Sequence, residues 1–232
     1  LYGAKTCLRF DATMPNVGEG EVQARFAFPH DPNDTSQNVF QRVFYSDGQD
    51  HFADTLIGQY TSDPIATAQS QLPFEFFQHY ALTQLWASDA HGHFVGQTPV
   101  RSAKKSSFCV EDEKLDNVKW GENGVAARKY FAPYCLFPTV TEGNFDYAIQ
   151  GLSIGWQDLY EFYLPGQYIE VSGLPDGSYI LSTTVNPDRV FLESDYKDNC
   201  ITRLVQLASV DSPNRRVVDL GPGPKCLEHD GP

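Results

Sequence analysis

Three neighbouring stretches decide how this sequence folds: GLSIGWQDLY (151–160), LPGQYIEVSGLPDGSYILSTTVNP (164–187) and ESDYKDN (193–199). The first packs Gly, Trp, Asp and Tyr into ten residues with no clean period. It reads as an exposed turn that carries a site rather than as a core element. In the second, Tyr168 to Val171 alternates as a strand and Pro175-Asp176-Gly177 supplies a turn. Ser178 to Val185 then alternates again, with Tyr179, Leu181, Thr183 and Val185 on one face, so the two runs are expected to pair as a hairpin.

The same grammar extends outward in both directions. Thr6, Leu8 and Phe10, then Val22, Ala24, Phe26 and Phe28, mark two strands separated by the loop from Pro15 to Gly20. VFQRVFY (39–45) is a strand ended by Ser46-Asp47-Gly48, and Ile201 to Leu207 is another. Short apolar runs divided by Gly, Pro, Asn and Asp, with no long amphipathic helix, predict a mainly β chain with long irregular loops and little helix. At 232 residues it can bury a proper core. We expect one domain over 1–208 and a Gly/Pro-rich tail over 209–232, either disordered or laid over another surface and held by Cys226.

The formal net charge is −13, which argues against nucleic-acid binding. It suits a self-repelling soluble surface, or attraction to cationic, lysine-rich partners. No apolar run is long enough to span a membrane. The chain begins at Leu1 without a signal sequence, the expected look of a processed mature form. Its five cysteines (Cys7, Cys109, Cys135, Cys200, Cys226) lack metal-ligand spacing and read as disulfides of a secreted protein with one left over. Asn33-Asp34-Thr35 is a candidate glycosylation sequon in a polar loop.

These motifs resemble the lysyl oxidase catalytic domain, particularly its branch outside animals. The family's turn has the form GxSxGxxDxY, followed by a strand, a PxGxY turn and an ESDxxNN-like segment; QRVFYSDG (41–48) is similar to a strand and turn of the same branch. The resemblance implies a lysyl-oxidase-like β-sandwich core. It makes Tyr160 the precursor of the lysine tyrosylquinone cofactor. KSSFCVED (105–112) matches the segment whose lysine bonds to that quinone, which places the role on Lys105. Asp158 takes the place of the base that removes a proton from the substrate carbon. The resemblance also implies a Cys109–Cys135 bridge, leaving Cys200 to pair with Cys7 or Cys226.

One part of the pattern departs. The family sets three alternating histidines upstream of a strand of the type FxxFAxYxL, where alternate residues converge on one copper ion. Here FQHYALTQL (77–85) is present, but the three ligand positions carry Leu72, Phe74 and Phe76, and the neighbouring register gives Gln71, Pro73 and Glu75. Without copper, Tyr160 has no evident route to a quinone, and Lys105, Asp158 and Tyr160 become vestigial. The resulting expectation is a secreted, catalytically silent domain, with no metal or cofactor, that serves other extracellular proteins in a larger assembly or filament. The alternative is a copper- and quinone-dependent amine oxidase acting on peptidyl lysine or primary amines, with a site rebuilt from His79, His91 and His93. A third reading is a glycan- or small-ligand-binding module using the aromatic surface from Phe74 to Tyr80.

Overall fold

The computed structural model describes residues 5–34, 38–45, 52–59, 81–105, 110–115, 127–131, 139–164 and 166–227, with Lys104 and Lys105 described by backbone position alone. Among these residues the chain is all β. Its strands are β1 (Cys7–Arg9), β2 (Ala12–Pro15), β3 (Val22–Pro29), β4 (Asn38–Phe44), β5 (Phe52–Gln59), β6 (Ala81–Ala87), β7 (Arg101–Lys105), β8 (Lys114–Leu115), β9 (Thr139–Glu142), β10 (Phe145–Leu152), β11 (Trp156–Tyr160), β12 (Tyr168–Glu170), β13 (Gly177–Val185), β14 (Cys200–Ala208) and β15 (Arg216–Pro222). Two five-stranded antiparallel sheets, β5-β4-β3-β10-β9 and β15-β14-β13-β6-β7, dominate, and two small sheets, β2-β11-β8 and β1-β12, pack on them.

Period-two alternation explains the layers. In β3, Ala24 and Phe26 point to one side, where they join Val39, Ala148 and Leu152 of the same sheet and Tyr160 of the small sheet in one buried cluster. In β13, Tyr179 and Leu181 do the same with Leu85, Val205 and Leu207, against Leu8 of β1 and Ile169 of β12. Each large sheet therefore closes its core with a small one, a sandwich-like arrangement.

The expected hairpin does not form. β12 pairs with β1, with Leu8 opposite Ile169, and β13 is flanked by β14 and β6. Both edges of β13 are taken by longer partners, and three-residue β12 gains more by burying Ile169 with Leu8. The turn before β13 is anchored elsewhere. Asp176 accepts hydrogen bonds from the Ser209 and Val210 backbone N–H groups at 2.8 and 3.2 Å.

The tail contains more structure than its composition suggested. Residues 216–222 form β15, in register with β14 from Arg203 opposite Pro222 to Ala208 opposite Arg216. Beyond them, Gly223 donates its backbone N–H to Thr202 at 3.0 Å. A Cβ on Gly223 would lie 2.7 Å from Thr202 Oγ1, so only glycine allows this approach.

Candidate functional site

Gly151 to Tyr160 was expected to be an exposed turn; it is mostly buried. It is the end of β10, a tight turn at Ser153–Gly155 and the whole of β11. Gly155 takes φ 79°, the left-handed conformation that glycine accepts. Asn16, just after β2, clasps this turn. Its N–H donates to Trp156 O at 2.8 Å, its carbonyl accepts from Gly155 N at 3.0 Å, and its Nδ2 donates to Leu152 O at 3.0 Å.

Burial of so polar a turn requires partners, and Asp112 is the main one. Asp112 is fully buried. Its Oδ1 accepts Ser153 N at 2.7 Å, and its Oδ2 accepts Ser153 Oγ at 2.6 Å, Lys129 N at 2.9 Å and Tyr130 N at 3.0 Å. Arg128 Nε donates to the Asp112 carbonyl at 2.5 Å, and its guanidinium lies over the Phe131 ring, 3.7 Å from the centroid. One carboxylate thus ties the turn to two other segments.

β11 places Asp158 and Tyr160 two residues apart, hence on one side of the strand. The Tyr160 hydroxyl donates a hydrogen bond to Asp158 Oδ2. Both are buried, Tyr160 at 5 % and Asp158 at 2 % exposure. Burial pushes the Asp158 carboxyl well above its ordinary range, against the opposing hydrogen bond from Tyr160, and the charges of Glu113 and Glu111 push it further up.

Lys105 ends β7, directly opposite Ala81 on β6. Ala81 belongs to the same buried cluster as Tyr160, and so does Val110, five residues beyond Lys105. The Lys105 backbone is therefore flanked, in pairing and in sequence, by residues of the Tyr160 cluster. Val110 is fixed in turn by its N–H to Gln150 Oε1 at 3.1 Å and its carbonyl to Gly151 N at 3.0 Å. The buried Gln150 Nε2 has no hydrogen-bond partner among the described residues.

Leu72, Phe74, Phe76, His51, His79, His229, Cys109 and Cys135 lie outside the described residues. His91 and His93 sit in the turn between β6 and β7, as expected, and are exposed. Asp89 organises that turn, accepting the backbone N–H groups of His91 and His93 at 2.8 Å each and facing His93 Nδ1 at 3.1 Å. These bonds, that from the His93 N–H foremost, hold the Asp89 carboxyl down to about 2. Among the described residues, no three His, Cys, Asp or Glu side chains gather as a metal site. Cys200 bonds to Cys226, and Cys7 carries an exposed free thiol. Asn33 is exposed in the loop after β3, its Nδ2 donating to Asp31 Oδ1 at 3.0 Å.

A groove of about 1740 Å³ runs beside this site. Ala12, Met14, Val110 and Leu152, all packed in the Tyr160 cluster, line it, whereas Asp158 and Tyr160 do not. Its lining includes eight Asp and Glu side chains against two Arg. Sequence reasoning quoted Asp112 without giving it a role and passed over Asn16. An acid two residues after the apolar Val110 and an Asn directly after Pro15 were the available signals.

The lysyl oxidase family model matches residues 64–211, more than half of the chain. Among curated proteins, the chain is 32 % identical over 126 residues to protein-lysine 6-oxidase of Gallus gallus, covering 54 % of this chain and 23 % of that one. It is 29 % identical over 125 residues to lysyl oxidase homolog 2A of Danio rerio, covering 54 % and 13 %. It is 26 % identical over 125 residues to lysyl oxidase homolog 2 of Homo sapiens, covering 54 % and 12 %. The match thus spans less than a quarter of the length of these relatives.

Proposed function

The chain belongs to the lysyl oxidase family, and on that premise we propose that it is a catalytically silent member of the branch outside animals. In this reading it is secreted and serves as a binding or structural domain of an extracellular assembly. The observation that carries the proposal is the donor set. By the resemblance, Leu72, Phe74 and Phe76 fall at the family's three ligand positions, and their side chains have no lone pair to offer copper. On this reading the family's copper site does not fit these residues.

Burial of Tyr160 supports the same reading. A substrate amine entering the groove meets Ala12, Met14, Val110 and Leu152 rather than the tyrosine ring. The acidic lining favours cationic partners. Secretion accords with the Cys200–Cys226 disulfide and with exposed Asn33, which we assign as a glycosylation site. Loss of mass on amidase treatment, absent in Asn33→Gln, would test that assignment.

A second reading, a copper- and quinone-dependent amine oxidase, draws on one specific observation. The Asp158–Tyr160 bond places a carboxyl of raised pKa against the cofactor tyrosine, the tuning expected of a general base working near neutrality. Metal analysis combined with a quinone redox-cycling stain on protein expressed with copper separates the two readings. The silent domain gives neither signal. Stoichiometric copper together with quinone, both lost in Tyr160→Phe, would overturn it.

A further inference from the structure

The turn between β6 and β7 is tied at several points. Asp89 donates its backbone N–H to the His93 carbonyl at 3.0 Å, and the Gly92 N–H returns to the Asp89 carbonyl at 3.2 Å. Asp89 Oδ1 accepts the backbone N–H groups of both His91 and His93 at 2.8 Å. Ser88 pairs with Phe94 across the base of the turn, and the Phe94 ring packs edge-on against Trp86 at 5.5 Å. Gly92 sits between the two histidines at φ 83°, the left-handed conformation open to glycine. The side chains that this scaffold presents to solvent with nitrogen lone pairs are His91 and His93.

One of the two is already set for coordination. His93 Nδ1 lies 3.1 Å from Asp89 Oδ2. A carboxylate only accepts, so Nδ1 carries the ring proton and the lone pair sits on Nε2, on the far side of the ring. This is the carboxylate–histidine pairing by which proteins orient an imidazole toward a metal ion. The His91 and His93 ring centroids are 6.2 Å apart. Two imidazoles on one tetrahedral zinc, their nitrogens about 2 Å from the ion, hold their centroids about 5 Å apart. Both rings are exposed, so a small rotation about χ1 or χ2 closes the difference.

We propose that this turn binds a divalent cation of the zinc class, with His91 and His93 as its protein ligands, water in the remaining positions and Asp89 holding His93 from behind. The donor set selects the ion. Neutral imidazole nitrogens suit zinc and its transition-metal neighbours, whereas calcium and magnesium take oxygens. A net charge of −13 raises the local concentration of any cation, and the nitrogen pair discriminates among them. Asp89 keeps its oxygens on the turn itself, in accord with the absence of any three-donor group among the described residues. The pair lies outside the Tyr160 cluster, and two protein ligands hold an ion reversibly. A chelator wash removes it before copper and quinone are measured, so this inference and the proposed function fail separately.

Titration calorimetry of Zn²⁺ into the full chain reads the outcome, with the protein stripped by chelator and carrying Cys7→Ser to remove the exposed thiol from competition. One ion is expected, with a dissociation constant below about 100 µM and no competition from excess Mg²⁺. The double variant His91→Gln/His93→Gln should lose it, and Asp89→Asn should weaken it about tenfold or more. His30→Gln, at an ion-paired histidine elsewhere on the surface, leaves it unchanged. Histidine-selective NMR of the otherwise unaltered chain provides a second readout, with the ring signals of His91 and His93 shifting together on titration. No binding up to about 1 mM Zn²⁺ overturns the proposal. So does an ion that the folded double variant binds as tightly, one that Mg²⁺ displaces, or one indifferent to Asp89→Asn.

Discussion

At the scale of single residues, the site is governed by how closely backbone and side chains approach. A Cβ on Gly151 would lie 2.1 Å from the Val22 carbonyl oxygen and 3.0 Å from the Tyr130 ring, where nothing can withdraw. Tyr130 is itself pinned, accepting from Gln23 Nε2 at 2.8 Å and donating to Glu21 Oε2 at 2.7 Å. Gly151→Ala is therefore expected to destabilise by about 3 kcal/mol or more, read by denaturant unfolding. Asp158 makes a different forecast. Its folded-state pKa lies above the unfolded value of about 4, so the folded chain binds the extra proton between the two. Its contribution is fully present below about pH 4 and is lost as pH rises through the folded pKa. Asp158→Asn should match the wild type at the acid end and exceed its stability above that window. Parallel unfolding curves for the two proteins, from about pH 4 to about pH 9, would refute this.

At the scale of elements, a cross-strand charge network stiffens the outer face of the β5-β4-β3-β10-β9 sheet. Arg42 grips Asp54 with Nε and Nη2 at 2.8 Å each, and also reaches Glu142 at 3.0 Å. Arg25, almost wholly buried, brings Nη2 within 2.7 Å of Glu142, though out of line for a hydrogen bond, and lies over the Tyr147 ring. Burial alone would raise the Glu142 carboxyl, but contact with Arg42 and then Arg25 outweighs it and holds the carboxyl low. Its contribution is present above the unfolded pKa and is lost as pH falls through the folded one. Glu142→Gln should cost about 1–2 kcal/mol at neutral pH, a figure discounted for its half-exposed side chain, and the deficit should shrink in acid. A deficit equal at both pH values would rule out the charge as its source. None of these partnerships could be read from the sequence. Those to Glu142 join residues a hundred or more positions apart while Arg42 and Asp54 are 12 apart, and alternation says which face a side chain takes but not what stands across from it.

For the molecule as a whole, the C-terminal segment is part of the second sheet. The Cys200–Cys226 bond closes the β14–β15 hairpin over 26 residues of sequence. Cys226→Ser should lower stability by about 3 kcal/mol by the loop-closure argument and speed amide exchange in β15. Differential scanning calorimetry with exchange measurements would show it, and an unchanged melting temperature would mean that the ladder alone holds the strand. Much of the architecture was legible beforehand. The strands of Val22 to Phe28, Val39 to Tyr45, Ser178 to Val185 and Ile201 to Leu207 follow their alternation, because period-two burial is a local property. The placement of β12 was not legible, since a short strand pairs wherever its one buried side chain finds company.

By itself the sequence determined the all-β class and the family, because turn residues and alternating apolar positions act locally and the motif GLSIGWQDLY survives as a string. It also brought Asp158 and Tyr160 to one side of a strand, through their spacing of two. Only the tertiary structure decided that this stretch is buried rather than exposed. Asp112, about forty residues away, supplies the hydrogen bonds that make its burial tolerable. Only the structure, too, set the Lys105 backbone beside the cluster that holds Tyr160, since that proximity comes from β6 and β7 pairing at Ala81. Contacts of this kind depend on which sheet faces are left to close upon each other, and packing alone settles that.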